Sequence, residues 1–137
     1  MMTTMAETSE RPRVLLVDDN DVILARASML LAPTCEVVGT AKDGRAALRA
    51  AEDLQPDVIV LDISMPELTG FEVAAVLRDA GSKAALVFLT VHADEDFVMA
   101  ARAVGGMGYV VKPRLSSDLT QAVAEARAGR SFVSKRR

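Results

Sequence analysis

The chain has 137 residues, half of them apolar and 26% charged, with 16 Lys+Arg against 19 Asp+Glu for a formal net charge of −3. That length suits one compact domain with a real core, and the slight acidic excess argues against a protein whose main task is to coat nucleic acid or an anionic membrane. One cysteine, Cys35, and one histidine, His92, exclude a disulfide framework and zinc sites built on paired ligands, so the chemistry that remains is carboxylate chemistry.

Residues 1–11 are polar, carry no apolar run of signal-peptide length, and read as a disordered extension. Residues 14–17 (VLLV) are apolar without alternation, as in a central strand of a parallel sheet covered on both faces. Asn20-Asp21 then offers a helix cap, followed by Ile23, Ala27, Leu30 and Leu31 at helical spacing. Residues 35–40 (CEVVGT) form a weaker, half-polar strand suited to a sheet edge, and Asp43-Gly44 opens a helix through Ala47, Ala51 and Leu54. The same alternation continues with strand 58–61 (VIVL) and a helix on Phe71, Ala74, Ala75 and Leu77. Strand 86–89 (LVFL) precedes a helix on Phe97, Ala100, Ala101 and Val104 that Gly105-Gly106 closes. Strand 109–111 (YVV) precedes the last helix, on Leu119, Ala122, Val123 and Ala126, closed by Gly129. Residues 134–137 look like a frayed end, and no stretch approaches the ~20 apolar residues that cross a bilayer, so the chain reads as cytoplasmic, without membrane contact.

Five strand–helix units with short connections imply parallel strands and right-handed crossovers. The expected fold is an α/β, flavodoxin-like, doubly wound (βα)5 sandwich with sheet order 2-1-3-4-5. It would occupy residues 12–130, with 131–137 as a tail or the start of a linker. Such sheets bind ligands outside the carboxyl ends of their strands, beside strands 1 and 3.

Those ends carry Asp18-Asp19, Asp62, Thr90 and Lys112-Pro113. Singly, each has a bland reading: a turn-forming or capping Asp, a strand-end hydroxyl, a solvated lysine. Together they converge on one sheet edge, where like-charged carboxylates at ~4 Å repel by about 4 kcal/mol per pair at an effective dielectric near 20. A divalent cation relieves that repulsion, and an oxygen-only ligand set suits Mg²⁺. Lys112 supplies further positive charge. Asp62, followed by the turn Ser64-Met65-Pro66, is the best nucleophile toward a phosphoryl group, with Thr90 as hydroxyl donor and Asp18 and Asp19 as the metal-holding pair.

The segments VLLVDDND, PDVIVLDISMPELTGFE, ALVFLTVHADED and GYVVKP, in that order over about residues 12–130, resemble the receiver domain of two-component response regulators, the CheY-like superfamily. The resemblance implies that Asp62 is the phospho-acceptor, loaded from a sensor histidine kinase. It implies Asp19 as direct Mg²⁺ ligand, Asp18 acting through water, and the Ser64 carbonyl completing the protein's share of the metal shell. It further implies Thr90 and Tyr109 as switch residues, Lys112 as ion-pair partner of the phosphoryl group, and a cis Lys112-Pro113 bond. Activation would remodel the face formed by the fourth helix, fifth strand and fifth helix. Val91, where the family usually has a small residue, is expected to narrow the phosphodonor's path, and His92 reads as an exposed loop residue.

The ending AEARAGRSFVS resembles receivers of the NarL/FixJ class, which continue into a DNA-binding domain. Output through a missing domain of that kind, with regulation of transcription, and output by a stand-alone receiver that binds a partner or homodimerises both remain open. No direct nucleic-acid binding is expected of this chain, nor enzymatic activity beyond its own phosphorylation and dephosphorylation. A haloacid-dehalogenase-type Mg²⁺ phosphohydrolase is the alternative, with Asp19-Asn20-Asp21 as its acidic pair, but it needs a further acidic cluster for which only Asp118 and Glu125 are available. A flavodoxin-like electron carrier is disfavoured because the DDND loop would repel a flavin phosphate.

Overall fold

A computed structural model describes residues 11–135 of the chain. Strand and helix alternate as β1 (Arg13–Val17), α1 (Asp21–Leu31), β2 (Glu36–Ala41), α2 (Gly44–Leu54), β3 (Val58–Asp62), α3 (Gly70–Asp79), β4 (Ala85–Thr90), α4 (Glu95–Ala103), β5 (Gly108–Val111), α5 (Leu115–Arg127) and β6 (Phe132–Val133). A single 3₁₀ turn, Lys112–Arg114, joins β5 to α5.

All pairings are parallel and the sheet order is β2-β1-β3-β4-β5-β6. The expected 2-1-3-4-5 order is present, and β6 extends it, pairing Phe132 with Gly108 and Val133 with Tyr109. Two residues carry no periodic signal, which is why β6 was not visible as a strand. Its place beside β5 covers an edge that would otherwise present unpaired backbone groups.

The unbroken apolar runs are explained by the strand period of two. Leu15, Ile59, Leu61 and Phe88 point to one face, against Ala47 of α2, Val73 of α3 and Val98 of α4. Leu16, Val58, Val60 and Leu89 point to the other, against Leu24 and Leu31 of α1 and Leu119 and Val123 of α5. Each fully buried Val, Leu or Ile contributes about 1.5–3 kcal/mol, so both faces must be apolar and only strand ends are left for charge. Helix starts follow the sequence signals: Asn20 caps α1 by accepting from the N–H groups of Val22 and Ile23, Asp43 caps α2, and Thr69 forms a capping box with Glu72 on α3. Gly105 and Gly129, at φ of +89° and +83°, end α4 and α5 in the left-handed conformation that glycine permits.

Three expectations are corrected. Arg11, grouped with the extension, is tied down: its Nη2 donates to the carbonyls of Ala32 at 3.0 Å and Cys35 at 2.7 Å, while residues 1–10 lie outside the described residues. Ser134, assigned to a frayed end, is only 1% exposed because its hydroxyl and backbone are bonded inward; Arg136 and Arg137 lie outside the described residues. The Lys112–Pro113 peptide is trans, as no cis bond occurs among the described residues; Pro113 sits inside a helical turn, where its fixed φ fits and its missing N–H is not needed.

Gly70 positions the end of β3. Its N–H donates to the Ile63 carbonyl at 2.8 Å, and a Cβ there would stand 2.3 Å from the Asp62 carbonyl oxygen and 2.9 Å from the Ile63 Cα. Both obstacles are backbone and cannot rotate away. Gly70→Ala is expected to lower stability by about 1–3 kcal/mol in urea denaturation, through overpacking against β3.

Candidate functional site

Because all strands run the same way, their carboxyl ends share one edge. Asp62 ends β3, Thr90 ends β4, Asp18 and Asp19 follow β1, and Lys112 follows β5. Asp18, Asp62 and Lys112 each stand two residues beyond Leu16, Val60 and Val110, which all pack on the α1/α5 face. The strand period therefore turns these three side chains to the same side.

Asp18 is fully buried and Asp62 is 2% exposed, whereas Asp19 is exposed. One oxygen from each of the three lies within 4.8 Å of the others. Lys112 Nζ stands 2.9 Å from Asp18 Oδ2 and 3.5 Å from Asp62 Oδ2. Backbone N–H groups hold the other oxygens: Asn20 donates to Asp18 Oδ1 at 2.9 Å and Ser64 to Asp62 Oδ1 at 3.1 Å.

Burial, first, and then the charges of Asp18 and Asp19 push the Asp62 carboxyl up to about 6, although Lys112 and the Ser64 N–H pull the other way. For Lys112, burial favours the neutral amine, but its contacts with Asp18 and Asp62 outweigh burial and raise it above the ordinary lysine range. One ammonium does not offset this many carboxylates.

The donor set suits a hard divalent cation. Asp18 Oδ2 is buried, and no group but the ion-paired Lys112 Nζ, 2.9 Å away, stands against it. A buried carboxylate oxygen with no backbone or hydroxyl donor, next to two more converging carboxylates, fits an ion of the Mg²⁺ class that takes oxygen ligands.

The hydroxyl of Thr90, 1% exposed, accepts from the His92 N–H at 3.0 Å, and the Tyr109 hydroxyl donates to the His92 carbonyl at 2.9 Å. His92 is therefore not the exposed loop residue expected: it is half-buried, stacks on Phe97 with ring centroids 4.2 Å apart, and its backbone bridges Thr90 to Tyr109. Sequence reasoning missed this because the link runs through the main chain and leaves no mark in residue type. Tyr109 is already turned inward, at 2% exposure. Val91 is exposed and lines, with Ala93, Val111 and Pro113, an open groove of about 990 Å³ beside the site.

The acidic residues that the phosphohydrolase alternative needs are not brought in. Asp21 pairs with Lys42 at 2.9 Å on the surface, Asp118 is held by Arg114 and Ser134, and Glu125 pairs with Arg130.

Comparison with known proteins agrees with this geometry. Residues 14–124 match the family model of the response regulator receiver domain. The nitrate/nitrite response regulator protein NarL of Escherichia coli (strain K12) is 34% identical over 92% of this chain and 59% of its own length. The transcriptional regulatory protein PdtaR of Mycobacterium tuberculosis (strain ATCC 25618 / H37Rv) is 38% identical over 88% of the chain and, again, 59% of its own length. The chain thus spans well under two thirds of these relatives. Among solved structures, the signal receiver domain of the NarL response regulator from Mycobacterium tuberculosis superposes with a TM-score of 0.84 at 30% identity, over 88% of this chain and 99% of that one.

The raised Asp62 carboxyl makes a signed stability prediction. Its folded-state value of about 6 lies above the ordinary 3.8, so the native state binds this proton more tightly than the unfolded chain. Stability contributed by the proton is full below pH ~4 and is lost as pH rises to ~6, about 3 kcal/mol in all. In urea denaturation with a chelator present, Asp62→Asn is expected to equal the wild type near pH ~4 and to exceed it by about that amount at neutral pH. Equal stabilities at neutral pH would contradict the electrostatic account.

Proposed function

Because the chain belongs to the response regulator receiver domain family of two-component systems, we propose that Asp62 is its phospho-acceptor, loaded by a sensor histidine kinase in the cytoplasm. The observation that carries this reading is the meeting of Asp62 with Asp18, Asp19 and Lys112 at the carboxyl edge of the sheet, one nucleophilic oxygen bordered by both signs of charge.

Asp62 attacks the phosphorus of a phosphohistidine; its O–P bond forms as the N–P bond breaks, and the electron pair returns to the imidazole. The Ser64 N–H holds Asp62 Oδ1, which orients the carboxylate for attack by its other oxygen. Lys112 transfers part of its charge pairing from Asp18 and Asp62 to the incoming phosphoryl oxygens. Mg²⁺ held by Asp18, Asp19, Asp62 and the Ser64 carbonyl would neutralise further negative charge on the phosphoryl group.

The Thr90 hydroxyl, which accepts from the His92 N–H, answers the new dianion by turning to donate its O–H to a phosphoryl oxygen, and that movement draws it off the His92 N–H. His92 also accepts from Tyr109, so the change reaches α4, β5 and α5 through a backbone already linked to both switch residues. That face then binds an output partner or a second copy of the chain. In a longer protein it would act on a DNA-binding domain, the output implied by the resemblance of residues 124–134 to receivers of the NarL/FixJ class. The activity of the domain itself is self-phosphorylation and dephosphorylation. No helix among the described residues is long and apolar enough to cross a membrane.

Intact-mass spectrometry after incubation with acetyl phosphate and Mg²⁺ tests the assignment. The wild type is expected to gain one phosphoryl group and Asp62→Asn none. Labelling retained in Asp62→Asn would place the acceptor elsewhere.

A further inference from the structure

A second polar cluster lies where α5 begins and β6 ends. Asp118 is 6% exposed and Ser134 1%. Asp118 Oδ2 accepts from Ser134 Oγ at 2.6 Å and from Arg114 Nε at 2.9 Å. Its Oδ1 accepts from Arg114 Nη2 at 3.3 Å and Ser117 Oγ at 3.2 Å. Ser134 reaches back to β5, its N–H donating to the Tyr109 carbonyl at 2.9 Å and its Oγ accepting from the Val111 N–H at 3.3 Å.

These bonds flank Lys112. The backbone N–H of Val111, immediately before it, is held by Ser134. Two residues after Lys112, Asp118 holds the Arg114 guanidinium directly and the Arg114 carbonyl through Ser117, whose hydroxyl is shared between that carbonyl and Asp118 Oδ1, 3.2 Å from each. Ser134 and Asp118 are bonded to each other. A lysine ammonium rides on a flexible four-carbon stem with three rotatable donors, so where it rests depends on where its backbone is fixed. Asp118 also cannot release either partner cheaply, because a buried carboxylate that loses a donor bears the full cost of desolvation.

We propose that Asp118, Ser134 and Arg114 form a positioning clasp that holds the backbone on both sides of Lys112. It keeps the ammonium on Asp18 and Asp62 and makes the segment leaving β6 part of the acceptor site. Coupling of this kind is reciprocal. Displacing Ser134 loosens Lys112, and a rearrangement of Lys112 changes the hold on the segment that follows β6. The consequence for phosphoryl transfer rests on the function proposed above, but the clasp itself does not.

The test reads the lysine directly. Native protein is acetylated with N-hydroxysuccinimidyl acetate, without Mg²⁺ or phosphodonor, and the rate at each lysine is followed by peptide mass spectrometry. Ser134→Ala is expected to speed acetylation of Lys112 about fivefold relative to Lys83, the release that follows from about 1 kcal/mol of lost restraint, while the Lys42 to Lys83 ratio stays unchanged. Asp118→Asn, which keeps shape and one acceptor, should do the same and carries the test if Ser134→Ala does not fold. Ser134→Thr, which keeps the hydroxyl, should restore the wild-type ratio. A Lys112 rate unchanged in both Ser134→Ala and Asp118→Asn would overturn the clasp, as would equal acceleration at Lys42, Lys83 and Lys112, the mark of general loosening. Failure of the wild type to accept a phosphoryl group, with the lysine ratios as expected, would overturn the proposed function and leave the clasp standing.

Discussion

Two carboxylates buried side by side at a sheet edge are an unfavourable arrangement, and the architecture around them serves to sustain it. Asp18 and Asp62 lie out of contact with bulk water and close enough to repel, with Asp19 at the rim. Lys112 offsets part of this charge, and the N–H groups of Asn20 and Ser64 offset more, yet the Asp62 carboxyl is still displaced toward its neutral form. The excess negative charge suits the site to a hard divalent cation. A fully neutralised site would not be suited to one.

The rest of the fold can be read as the support for that charge. Two apolar faces, each sealed by its own helices, leave the strand ends as the place where ionic groups can gather without disturbing the core. Gly70 lets α3 begin directly against the Asp62–Ile63 backbone, so the strand end that carries Asp62 is braced at the closest approach that main-chain atoms allow. The His92 backbone joins Thr90 to Tyr109, so a change at the site edge has a short covalent and hydrogen-bonded route to β5.

Much of this was legible in the residue order. The runs 14–17, 58–61, 86–89 and 109–111 announced covered parallel strands, because a strand buried on both sides has no polar face to alternate with. The glycines after α4 and α5 and the caps Asn20 and Asp43 marked helix limits through backbone chemistry that few other residues can supply. Pro113 misled: its position inside a helical turn suits a trans bond as well, and only the path of the chain distinguishes the two. Ser134 misled in another way, since a serine near a chain end reads as solvated unless the carboxylate that buries it is known.

What the sequence determined by itself was the set of elements, their parallel order and the gathering of Asp18, Asp19, Asp62, Thr90 and Lys112 at one edge. These follow from short-range periodicity and from the rule that parallel strands share an end. What only the tertiary structure decided were the contacts between residues far apart in the chain: Ser134 on Asp118 and Val111, Tyr109 on the His92 carbonyl, Gly70 against the main chain of Asp62. Such contacts depend on directions and distances of a few ångströms, set by how helices seat on the sheet. A residue's type states what bonds it can make, and packing alone selects the partner.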